Sequence, residues 1–182
     1  MQKFALFQLL ALLIVLPLSF ALSAFAAEEE QSNKLPFDPA TGKDITPTPF
    51  KGILKVYKMP ETNASMPTYV VRGRECVSLG TSFGGNGIYS IIAADVNKDG
   101  KPDLVYASSW GSGLHRTNIG VVEVGDKLIE HKAPDILLFD DEDIKLLAGK
   151  GRTTVSVKSR PYAEIVLSSD SSGKKILALK KL

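Results

Sequence analysis

Beyond residue 50 the chain is written in short apolar runs rich in Val, Ile, Leu and Tyr, each ended by Gly, Pro, Asn, Asp or Ser. Runs of that length, bounded by turn-forming residues, predict strands of an antiparallel sheet. The expected strands are 53–58, 69–72, 76–79, 88–94, 104–107, 119–124, 127–130, 153–158, 162–167 and 175–180. Gly125-Asp126 reads as a two-residue hairpin turn, and the polar segment 168–174 joins the last two strands. Residues 135–150 fit two readings: a strand over 136–139, or a short helix over 140–148 capped by Asp140 and ended by Gly149. About 130 residues suffice for one domain with its own core. The predicted fold is therefore all-β and mainly antiparallel, a compact domain over 51–182 with room for one short helix near 140–148.

The pattern differs at the amino terminus. Lys3 precedes a nearly continuous apolar run from Phe4 to Phe25 that closes on Ala26-Ala27 before three Glu residues. A positive start, an apolar centre and small residues at the cut are the order of an export signal. Gln8, Pro17, Ser19 and Ser23 interrupt the run and favour a cleaved peptide over a retained span. We expect a signal over 1–26, a secreted or periplasmic, cell-envelope location, and no stable membrane insertion after cleavage. Residues 27–50, with Pro36, Pro39, Pro47 and Pro49 close together, read as a flexible, extended leader.

The chain has 22 basic and 20 acidic residues, intermixed rather than gathered in stripes, which argues against a nucleic-acid partner. Cys76, without a second cysteine to pair with, is expected as a small buried strand residue. One Cys and two dispersed His residues also argue against zinc.

One loop carries a chemical pattern. Asp95-Val96-Asn97-Lys98-Asp99-Gly100-Lys101-Pro102-Asp103 places side-chain oxygens at positions 1, 3, 5 and 9. A hard cation such as Ca²⁺ takes six to eight oxygens, and a tightly curled loop turns alternate side chains to one point. Asp95, Asn97, Asp99 and Asp103 are the expected donors, and the carbonyl of Lys101 stands at position 7. An EF-hand would need an acid at position 12, which here is Tyr106. The apolar, β-branched flanks place the loop between strands.

Phe83-Gly84-Gly85 followed by this Asp-x-Asn-x-Asp-Gly-x-x-Asp loop and Leu104-Val105 resembles an FG-GAP or VCBS repeat, the calcium-loop unit of integrin-type β-propellers. The resemblance spans residues 83–107. It implies Asp95, Asn97, Asp99, Lys101 (through its main chain) and Asp103 as Ca²⁺ ligands. The family's Gly-Ala-Pro is replaced by Tyr106-Ala107-Ser108, and the loop occurs once. A propeller closes with several four-stranded blades, so the expectation is a compact β domain around one such hairpin, a partial or atypical propeller.

Residues 108–118 hold Trp110, His115 and Arg116 beside the loop. Such a stretch can stack on a sugar ring or a peptide aromatic, and binding residues favour loops on a rigid scaffold. The expected function is a non-catalytic, calcium-stabilised exported module binding a protein or glycan through Trp110, His115 and Arg116. The alternatives are an exported hydrolase with its site around His115, and a structural subunit that completes a β-propeller; oligomeric state is left open. His131 is expected in a solvated turn, the acids 140–143 as a solvated turn or helix start, and the Lys-rich end as a solubilised edge strand.

Overall fold

In the computed structural model, the described residues are 35–63, 65–80, 84–111, 116–149 and 151–182. The expected signal segment and the start of the leader lie outside them, as do Phe83 and His115. The strands fall into three four-stranded antiparallel sheets, each a run of consecutive strands. Sheet 1 comprises β1 (Lys43–Asp44), β2 (Lys55–Lys58), β3 (Thr68–Arg72) and β4 (Glu75–Leu79). Sheet 2 comprises β5 (Gly87–Ala94), β6 (Asp103–Trp110), β7 (Arg116–Val124) and β8 (Leu128–Leu137). Sheet 3 comprises β9 (Ile144–Gly149), β10 (Arg152–Val157), β11 (Arg160–Ser169) and β12 (Lys175–Lys181). Among the described residues the only helical pieces are short 3-10 turns, and no helix is long and apolar enough to cross a membrane.

Sheet 2 is covered on both faces. Leu104, Tyr106, Val122, Leu128 and Ile88 meet Val56, Val70 and Leu79 of sheet 1. Val105, Ala107, Ile119 and Val121 meet Ile144, Leu146, Val155, Ile165 and Leu177 of sheet 3. Successive side chains of a strand point to opposite faces, so both parities of β6 must be apolar or small, and seven of its eight residues are buried. At each junction like strands lie along like: β8 runs against both β4 and β12, and β5 against β9.

Polar ties reinforce these junctions. Lys58 Nζ on β2 donates to the carbonyls of Asn86 and Ile88, 2.8 and 2.7 Å away. Arg72 on β3 donates to Glu75 and to the carbonyls of Gly125 (2.6 Å) and Asp126 (2.8 Å) at the β7–β8 tip. Glu123 on β7 pairs with Lys175 on β12 and stands 3.3 Å from His131 Nε2.

Several expectations need correction. Ordered structure begins before residue 51: β1 pairs with β2, a 3-10 turn covers Thr48–Phe50, and Phe50 is fully buried. Pro39, Pro47 and Pro49 stand at the start of the 3-10 turns here, a use that their fixed φ equally suits. The β7–β8 pairing closes at Val124–Leu128, a three-residue connection, because Leu128 donates its N–H to Glu75 and Arg72 holds the carbonyls of Gly125 and Asp126. No helix forms over 140–148. Asp141–Asp143 is a 3-10 turn, and Ile144 and Leu146 then alternate inward with exposed Lys145 and Leu147, a strand's period. Of the strand expected over 136–139, Ile136 and Leu137 form the end of β8, with Leu137 buried and Ile136 exposed, and Leu138 lies beyond it, exposed. Cys76 is half-buried on the outer face of sheet 1, where burial raises its thiol pKa. His131 lies within β8 rather than in a turn.

Candidate metal centre

The loop 95–103 connects β5 to β6, whose adjoining ends Ala94 and Asp103 are cross-strand partners. Val96 is buried in the core shared by sheets 2 and 3, which pins the loop's first turn. Past it the backbone enters the left-handed region twice, at Lys98 (φ 62°) and Gly100 (φ 85°). A Cβ at Gly100 would meet no atom within 4 Å, so the requirement for glycine there is conformational rather than spatial.

The side chains at positions 1, 3 and 5 turn inward onto the loop's own N–H groups. Asp95 accepts from Asp99 N (3.1 Å) with one carboxylate oxygen and from Gly100 N (3.0 Å) with the other. Asn97 Oδ1 accepts from Asp99 N at 3.0 Å, and Asp99 Oδ1 from Lys101 N at 2.8 Å. Asn97 Nδ2 donates to Asp99 Oδ2 at 3.1 Å. The N–H of Lys101 beside Asp99 holds its carboxyl below the ordinary carboxylate range.

Asp103 is different. It is buried at 2% exposure, and its carboxylate accepts the N–H of Val96 at 3.2 Å. Desolvation nonetheless raises its pKa. A buried carboxylate whose charged form is penalised is the group for which a nearby cation is worth most.

Tested against Ca²⁺, the loop fits in donor chemistry: three carboxylates, an amide oxygen and a free main-chain carbonyl on a curled backbone. Each carboxylate has about four lone-pair positions, so the N–H bonds leave acceptor capacity. As placed, no three Asp, Glu, His or Cys side chains among the described residues stand close enough together to hold one ion. A shared ion would require the carboxylates of Asp95, Asp99 and Asp103 to shift from these N–H bonds onto it.

The sequence comparison agrees with the position of this hairpin. Residues 87–122 match the FG-GAP repeat, in a single copy. The match takes in β5, the loop, β6 and most of β7, further than the 83–107 expected from sequence. It leaves Gly84 and Gly85 outside, whose role is packing. Gly84 bridges to Gly111, and a Cβ on Gly85 would stand 2.6 Å from the main chain of Ser109. No curated protein and no solved structure matches the chain. Around the FG-GAP repeat, three consecutive four-stranded meanders have the strand order of propeller blades, a β-propeller-like arrangement.

Of the second expected site, Trp110 ends β6 and Arg116 begins β7 as its cross-strand partner. The Arg116 guanidinium lies 5.1 Å from the indole centroid, a cation–π contact. Trp110 Nε1 is buried without a hydrogen-bond partner. The two are thus brought together, while His115 lies outside the described residues.

Sequence reasoning missed a cleft of about 390 Å³ beside the loop, lined by Asp95, Lys98, Arg152 and Thr153 among others. Its far wall is the β9–β10 turn, some fifty positions along the chain, and periodicity within single strands carries no information about that pairing.

Proposed function

We propose that the chain is a non-catalytic, Ca²⁺-stabilised, β-propeller-like module of an exported protein. Asp95, Asn97, Asp99, the Lys101 carbonyl and Asp103 hold the ion. The observation that carries this is the curl of loop 95–103 around its own Asp95, Asn97 and Asp99 side chains, inside the FG-GAP match. The ion offsets repulsion among three carboxylates and compensates the buried charge of Asp103, so binding is coupled to folding. Trp110 and Arg116 supply a stacked cation and indole for a protein or glycan partner.

A melting curve with and without Ca²⁺ tests the metal. The native chain gains stability with the ion and Asp99→Ala does not; an equal gain in both would remove the ion from this loop. Amino-terminal sequencing of exported protein tests the signal segment, with cleavage expected after residue 26. A second role, as a structural subunit that completes a propeller, is favoured by the blade-like order of the three sheets.

A further inference from the structure

Sheet 2 shows what covers a sheet face in this protein: another four-stranded sheet, like strand along like strand. It receives sheet 1 on one side and sheet 3 on the other, so the same stacking step occurs twice. The step leaves one face of sheet 1 and one face of sheet 3 pointing away from sheet 2.

Both outer faces carry apolar residues. On sheet 3, Leu147 and Ile176 are 50% and 45% exposed, with half-buried Val166 and Ala178 on the same face, since their neighbours Ile165 and Leu177 point inward. On sheet 1, Val71 and Cys76 are partners across β3 and β4, opposite in direction to buried Val70. Val71 also lines a cleft of about 240 Å³ with Ile53, which is 52% exposed.

We propose that the outer face of sheet 3 docks on the outer face of sheet 1 of a second copy, so that two copies close a head-to-tail ring of six sheets. This rests on the β-propeller-like reading of the sheets. A third repetition of the stacking step joins these two faces, and each copy supplies both. A head-to-tail contact must either close or propagate, and six blades lie within the roughly four to eight at which propellers close. Four strands about 4.8 Å apart and about six residues long present on the order of 400 Å². Two partners at each of two junctions therefore bury roughly 1,500 Å², the size of a stable specific interface.

The test is solution mass by light scattering on the purified chain, with melting curves alongside. The native chain should run at twice its own mass. Val71→Lys on sheet 1 and Ile176→Asp on sheet 3, both at positions facing away from the core, should each give monomers that keep the calcium-dependent gain in melting temperature. Mixing the two variants leaves one junction native and puts opposite charges on the other, and should restore the dimer. A monomeric native chain that keeps its calcium gain would overturn the second copy and leave the metal reading standing. A dimer broken by only one variant would mean a face meeting its own equivalent, and would overturn the head-to-tail ring. Failure of the mixture to reassociate would overturn it too, whereas a native dimer with no calcium gain would support it and sink the metal reading alone.

Discussion

Gly120 on β7 lies directly beneath the ring of Tyr106, its cross-strand partner on β6: a Cβ there would stand 2.2 Å from Tyr106 Cζ and 2.3 Å from the hydroxyl oxygen. The ring is fully buried and its hydroxyl donates to Glu130 Oε1 at 2.5 Å. The glycine is there for space, and the tyrosine fills the room that it leaves. Gly120→Ala must displace a buried ring held by that bond. We expect a loss of about 1–3 kcal/mol, the usual range for overpacking, read in urea unfolding. Tyr106→Phe in the same assay should lose less, because Glu130 keeps Lys132 as a partner at 3.2 Å.

The calcium effect has a scale. At a free ion concentration about 100-fold above Kd, one site adds about 2.7 kcal/mol, which raises Tm by roughly 5–10 °C for a chain of this size. Chelation should return the native curve to that of Asp99→Ala. Mg²⁺, which demands octahedral geometry and gives up its waters reluctantly, should reproduce little of the gain.

Asp44 provides a pH dependence. Its pKa falls from an ordinary 3.8 to about 2, first through its bond with Lys55 and then through Thr46. A carboxyl with a lowered folded pKa contributes stability that is present above its unfolded pKa and is lost as pH drops through the folded one. Native chain and Asp44→Asn should differ most above pH 4 and converge toward pH 2. Equal separation of their Tm values across that range would refute the assignment. Both partners are substantially exposed, so the difference will be small and reduced by salt.

Arg72 is the side chain from sheet 1 that grips the tip of the β7–β8 hairpin. Arg72→Met should leave the strands in place and release the two carbonyls. Hydrogen exchange is expected to quicken at residues 124–128 and to stay unchanged at the loop 95–103. Unchanged rates at the tip would show that Leu128 and Glu75 suffice to hold it.

Most of the strand list was legible because the alternation of Val, Ile and Leu with polar residues is local. Val155, Ile165 and Leu177 each sit where period two puts them. The loop was legible because Asp, Asn and Gly at fixed offsets impose a curl without help from the rest of the fold. What escaped depends on distant partners. β1 is two residues long and shows itself only through its pairing with β2. His131 reads as a turn residue until Glu123, eight positions earlier, is seen beside it. The helix alternative over 140–148 failed because Ile144 and Leu146 had a core of sheet 2 side chains to face, a tertiary fact that outweighs capping residues.

Since the middle layer lends one parity of its side chains to each neighbouring core, loss of either flanking layer bares a whole apolar face of the middle one. That exposure disfavours a stage with one flanking layer detached, and heat or denaturant should meet a single cooperative transition across 38–182. Within β6, adjacent substitutions such as Leu104→Ala and Val105→Ala wound opposite cores, so the customary tolerant position of a strand, the one that looks at water, is missing there.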